Sequence, residues 1–164
     1  MGATVPATVK HLMKGQAIYL AGLGWDVHLV TSPGPELPLL QREFRNISGI
    51  HLHTIPMRRN PSPMSDIRAL KRWVRLLRGL HPDVVMSGTP KAGLLGTLAA
   101  RATLVPVRVY LLRGLRLEGQ QGLAAAISWM AERLTCSAAS TVLSVSSSLR
   151  DEVSRRRIVA HGKI

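Results

Sequence analysis

Apolar and polar positions along this chain switch repeatedly between a helical and a strand period, and the switches mark its elements. Between Val9 and Leu23, residues Leu12, Met13, Ala17, Leu20 and Leu23 fall at helical spacing, and Gly24 is placed to stop that helix. WDVHLVT (Trp25–Thr31) changes to period two and predicts a strand; SPGPE turns the chain, and PLLQREFR begins a second, shorter helix. IHLHTIP (Ile50–Pro56) alternates again, with Ile50, Leu52 and Thr54 on one face and His51 and His53 on the other. MRRNPSP is a loop, after which Ser65 to Leu80 is strongly amphipathic, with Ile67, Leu70, Val74 and Leu77 as its apolar stripe. DVVMSGT then reads as a short strand buried on both sides, followed by a helix from Ala92 to Leu104. PVRVYLL (Pro106–Leu112) is a strand, RGLRLEGQQG a glycine-rich loop and Leu123 to Ala138 a helix. A strand from Ser140 to Ser147 and a helix from Ser148 to Arg156 complete the series.

Strand-then-helix units in unbroken succession imply a mostly parallel sheet with helices on both faces. The predicted fold is therefore α/β, a single Rossmann-like domain over residues 1–164. Such a domain ordinarily opens on a strand, whereas MGATVP is short and broken. The first strand is expected to be missing or truncated. GKI follows the last helix where another strand belongs, so the pattern reads as one cut at both ends.

A hydrophobic fraction of 46% over 164 residues suits one domain with a real core. The charge changes the picture more. Twenty-two Lys and Arg against nine Asp and Glu give +13, which points to an acidic partner: nucleic acid, an anionic membrane surface or a phosphorylated substrate. Base content of the genome is an alternative source of so much arginine. Aromatic residues make up only 4% and no nucleic-acid motif is present, so nucleic acid is the poorest fit. The one cysteine, Cys136, allows no internal disulfide and no cysteine cluster. No apolar run approaches the roughly 18 uncharged residues of a membrane span, and the N-terminus lacks a signal-peptide core, so a cytoplasmic protein is expected.

Candidate chemistry gathers at the strand-to-helix junctions, where the crevice of a doubly wound sheet lies. In GTPKAGLLGTLAAR (Gly88–Arg101), Thr89 is a natural N-cap and Pro90 a natural first helical residue. Lys91 then falls in the first turn, at the positive end of the helix dipole, where a cation costs about 0.3–1 kcal/mol if exposed. Either Lys91 is solvated, or it waits with the free backbone N–H groups for a phosphate. LLRGLRLEG (Leu111–Gly119) projects Arg113, Arg116 and Glu118 at the same rim, with Gly114 between. An arginine there suits phosphate or carboxylate and a glutamate suits a sugar hydroxyl, unless the two simply pair on the surface. Thr8, Lys10, His11 and Lys14 occupy the first turns of the first helix and face the same way. His51 and His53 stand two apart on one strand without a third ligand, so no metal is expected. The helix 65–80 carries Arg68, Lys71, Arg72, Arg75 and Arg78, with Arg58 and Arg59 just before it and only Asp66 against them. That basic face is either a membrane-surface patch or an ordinary solvated face.

Taken in order, KGQAIYLAGLGWDVHLVTSPGPEL, IPMRR, SPMSDIRAL, HPDVVMSGTPKAGLLGTLAAR, PVRVYLLRGLRLEG and AERLTCSAASTVLSVSSSLR resemble the N-terminal half of a bacterial family-four retaining glycosyltransferase, in the branch that assembles surface polysaccharides. The resemblance implies the acceptor-side domain of a GT-B fold, whose second, donor-binding domain is absent here. It implies a nucleotide-sugar donor, a saccharide acceptor, typically lipid-linked at the cytoplasmic leaflet, and no cofactor or metal. Thr8, Lys10, Thr89, Lys91, Arg113, Gly114 and Glu118 become substrate-binding candidates; no catalytic residue is assigned. Where relatives often carry a histidine before the TPKAG turn, this chain has Met86, Ser87 and Gly88. The polypeptide alone is expected not to transfer sugar. The alternative is a non-catalytic anion-binding or membrane-surface module, and a nucleotide-binding domain of other chemistry is a weaker third.

Overall fold

The computed structural model describes residues 1–58, 60–115, 120–160 and 162–164. A helical segment opens the chain, formed by α1 (Pro6–Thr8), a π-helical turn (Val9–Met13) and α2 (Lys14–Gly22). Five strands and five further helices follow in alternation: β1 (Val27–Thr31), α3 (Leu37–Phe44), β2 (Ile50–Thr54), α4 (Pro63–Leu80), β3 (Val84–Ser87), α5 (Pro90–Ala102), β4 (Val107–Leu112), α6 (Gly122–Ala138), β5 (Thr141–Ser144) and α7 (Ser147–Arg155). Every strand pair is parallel: β1 with β2, β3 with β4, and β4 with β5. The alternation of periods is thus realised as an α/β sheet with helices on both faces.

Of the two expectations for the first strand, missing or truncated, the second holds. Residues 1–3 enter the gap between β1 and β3 and pair with both. Ala3 N–H donates to the Val30 carbonyl at 2.9 Å and Val30 N–H to that of Met1 at 2.9 Å. On the other side Gly2 N–H donates to the Met86 carbonyl at 2.8 Å, and Gly88 N–H to that of Gly2 at 3.2 Å. The resulting order is β2, β1, residues 1–3, β3, β4, β5. Three residues carry no readable period, so the truncated strand is invisible in the hydropathy pattern although its backbone does a strand's bonding. At the far side, Val142 N–H donates to the Lys163 carbonyl at 2.7 Å, so the segment after α7 lies beside β5.

Beneath residues 1–3 lies Trp73 of α4, 2% exposed. A Cβ on Gly2 would come within 2.8 Å of its Cη2 and 3.2 Å of Ser87 Oγ, so a side chain there displaces the indole or the strand. Trp73 also explains why the buried row of α4 is Ala69, Trp73 and Leu77, at spacing four. The predicted stripe is rotated: Ile67 is 50% exposed, and Leu70 and Val74 pack only at the margin. The first helix shows a similar displacement. Val9, Met13 and Ala17 are buried while Leu12 and Leu23 are exposed, because the π-helical turn resets the face the helix presents. Gly24, at φ +86°, stops it as expected.

The start of α5 is capped from a distance. Thr89 holds the extended N-cap conformation and Pro90 the first helical position, but the Thr89 side chain bonds no helix N–H. Thr4 supplies the cap instead: Ala92 N–H donates to Thr4 Oγ1 at 3.2 Å, and Thr4 N–H donates to Thr89 Oγ1 at 2.9 Å. The two hydroxyls are 2.7 Å apart. One short segment therefore completes the sheet and caps the helix beside it.

Two stability changes follow. Trp73→Ala is expected to cost about 3–5 kcal/mol by urea unfolding, as for a fully buried aromatic. Thr4→Val is expected to cost about 1 kcal/mol by the same measurement, the value of a lost N-cap. A Thr4→Val variant as stable as the parent would show that the long-range cap contributes nothing.

Candidate functional site

From residues 1–3 the chain runs to β1 on one side of the sheet and later returns to β3 on the other. The strand order reverses there, and in a doubly wound sheet the crevice opens at the carboxyl ends of the strands flanking that reversal. A cavity of about 600 Å³ occupies this position. Thr4, Val5, Thr8 and Leu12 line it from the first segment, Gly88, Thr89 and Lys91 from the β3–α5 junction, and Tyr110, Arg113, Gly114 and Leu115 from the end of β4. Asn60 closes the remaining side.

Of the predicted substrate-binding residues, Thr8, Thr89, Lys91, Arg113 and Gly114 converge on this one cavity. Lys10, half-buried on the π-helical turn, is not part of its wall. Arg116 and Glu118 lie outside the described residues, as does Arg59 of the basic patch.

Lys91 is neither solvated nor free. Its Nζ donates to Asp66 Oδ2 at 2.6 Å and to the Asn60 carbonyl at 3.3 Å, and its side chain is 9% exposed. Asp66 stands in the first turn of α4, where the same Oδ2 accepts the Ser62 N–H at 3.2 Å. A carboxylate at the start of one helix thus neutralises the misplaced cation at the start of the next. The sequence carried no sign of this pairing, since 25 residues separate the partners.

Arg113 is the contrasting cation. It extends from the end of β4 over the backbone of Gly88, where a Cβ would come within 3.4 Å of its Nε. Its Nη1 is buried and has no hydrogen-bond partner among the described residues. Burial lowers its pKa from the usual arginine value, yet a guanidinium keeps its charge at any physiological pH. A buried charged donor without a partner is costly, and an anion in the cavity would relieve that cost. Tyr110 turns its hydroxyl away, donating to Glu132 Oε2 at 2.9 Å in the core, and burial raises its pKa well above the ordinary value.

Arg68, Lys71, Arg72, Arg75 and Arg78 are all exposed along the outer face of α4. Among the described residues, no helix is long and apolar enough to cross a membrane.

Residues 7–164 match the model of the glycosyl transferase 4-like domain. The capsular polysaccharide biosynthesis glycosyltransferase CapM of Staphylococcus aureus is 36% identical over 153 residues, which are 93% of this chain and 38% of CapM. The chain therefore spans well under half the length of that relative. Among solved structures, a glycosyltransferase from Rickettsia africae ESF-5 superposes with a TM-score of 0.66 at 18% identity, over 100% of this chain and 40% of that one. The UDP-GlcNAc 2-epimerase of Methanocaldococcus jannaschii gives 0.61 at 17% identity, over 96% of this chain and 41% of its own. Those two likenesses concern the fold, which serves a transferase and an epimerase alike. The family model, together with the identity to CapM along nearly the whole chain, places this protein in the glycosyl transferase 4-like domain family.

Proposed function

We propose that this chain is the acceptor-binding half of a glycosyltransferase that moves a sugar from a nucleotide-sugar to a saccharide acceptor carried on a lipid diphosphate. The observation that carries the reading is the buried, unpartnered Nη1 of Arg113 in a cavity at the reversal point of the sheet. A diphosphate offers what that group lacks, an anionic oxygen for a bidentate donor. The Thr8 hydroxyl stands at the same wall. Lys91 serves chiefly to join α5 to α4 through Asp66; an ammonium has three N–H donors, which leaves one to help hold an anion. Glu118 retains its assignment to a sugar hydroxyl, and Gly114, on the cavity wall, stays a substrate-binding candidate. Lys10, off the cavity wall, keeps at most a place on the approach to it.

In the intact enzyme the donor's nucleotide departs as the acceptor hydroxyl attacks the sugar, and donor binding belongs to a second domain. This half alone is expected to bind acceptor without turning it over. The exposed cations of α4 support a second feature of the reading, docking on the anionic inner leaflet that presents a lipid-linked acceptor. Each contributes about 1 kcal/mol near such a surface. A binding module without catalysis would use the same face.

Two measurements test this. Arg113→Gln is expected to weaken binding of a short-chain prenyl-diphosphate-linked sugar by about 10- to 100-fold, the worth of a charged hydrogen bond. Equal affinity removes Arg113 from the site. Sedimentation with phosphatidylglycerol vesicles is expected to lose most binding when Arg68, Lys71, Arg72 and Arg75 are changed together to Gln. Binding that persists unchanged assigns α4 no membrane role.

A further inference from the structure

At the amino ends of β1 and β2, opposite the rim cavity, four side chains that bind metals well are brought together. The parallel register sets His28 against His51 and Val30 against His53. His28, His51 and His53 consequently share one sheet face, and Asp26 joins them from just before β1. The imidazoles of His28 and His51 stack with centroids 4.7 Å apart, and those of His28 and His53 at 5.1 Å. Asp26 spans the first pair: its Oδ2 is 3.1 Å from His28 Nε2 and its Oδ1 is 2.9 Å from His51 Nε2. One ligand atom from each of Asp26, His28 and His51 lies within 4.8 Å of the others. The site is open to solvent, with the Asp26 side chain 67% and the His51 side chain 53% exposed.

We propose that Asp26, His28 and His51 form a surface site for a zinc-class divalent transition metal, with His53 as a positioning residue for His28. Two imidazoles and one carboxylate are a common three-ligand set for zinc, whose fourth position takes water. Tetrahedral ligands about 2.0–2.1 Å from zinc stand about 3.4 Å from one another, so binding would open the Asp26 contacts of 2.9 and 3.1 Å slightly and gather three atoms that already lie within 4.8 Å. His28 Nδ1 lies 2.9 Å from His53 Nε2. With a metal on Nε2, the ring proton of His28 belongs on Nδ1, and His53 accepts it there, which fixes both tautomer and ring plane. Considering spacing within β2 alone led to the expectation of no metal; the neighbouring strand supplies the missing ligands.

The test is zinc titration of the tag-free chain by calorimetry, with cobalt(II) absorption as a second readout. One site of micromolar or tighter affinity is expected, and cobalt should give the intense visible bands of a tetrahedral nitrogen–oxygen site. Asp26→Asn and His51→Ala, both at exposed positions, should each weaken zinc at least 10-fold, and the double variant should abolish the cobalt bands. His53→Ala should cost about 10- to 100-fold while keeping a cobalt spectrum of altered shape, as expected of an outer-shell partner. Binding by the double variant at parental affinity overturns the assignment, and so does a parent chain that gives no tetrahedral cobalt spectrum. None of these readouts depends on sugar transfer or on the rim cavity.

Discussion

Residues 1–3 hold the two halves of the sheet together. The backbone groups of β1 and β3 that face one another across the gap have no other partners of their kind in reach, and an unpaired strand edge in a sheet centre costs several hydrogen bonds at once. The inserted segment satisfies the His28 carbonyl and both backbone groups of Val30 in β1, the Met86 carbonyl in β3 and the Gly88 N–H just after it, at 2.6–3.2 Å. Its side-chain requirement is equally narrow. Gly2 is needed because the Trp73 indole fills the space a Cβ would take. The same segment continues into Thr4, which caps α5, and into Val5 and Thr8, which wall the cavity. Sheet continuity, the anchoring of α4 and α5, and the shape of the site are consequently not separable: disturbing one short stretch disturbs all three.

Much of this was legible beforehand. The alternation of periods fixes the order of strands and helices, and a parallel sheet then forces every strand-to-helix junction to one rim. That is why Thr8, Thr89, Lys91, Arg113 and Gly114, distant in sequence, meet at one cavity. The failures have a common cause. Residues 1–3 act through backbone hydrogen bonds, which leave no trace in side-chain periodicity. The Lys91–Asp66 pair depends on how two helices abut, and the Asp26–His28–His51 cluster on the register between two strands. The rotated face of α4 is a packing result as well: one tryptophan large enough to fill the sheet's central gap outweighs a stripe of smaller aliphatic residues.

The two cations of the rim are held differently. Both stand at junctions where a positive side chain has no obvious local reason. Lys91 is answered internally, with a carboxylate oxygen at 2.6 Å and a carbonyl at 3.3 Å, so its charge ties α5 to α4. Arg113 is left with a buried Nη1 unanswered among the described residues, its guanidinium lying over Gly88. Local rules tend to fail where a fold is shaped for something outside itself. By that criterion Arg113, and not the lysine that first draws the eye, is the residue on which the proposed acceptor site rests. On the proposed reading, a cavity with one satisfied and one unsatisfied cation would hold an anion at a single point, and that point is the Arg113 guanidinium.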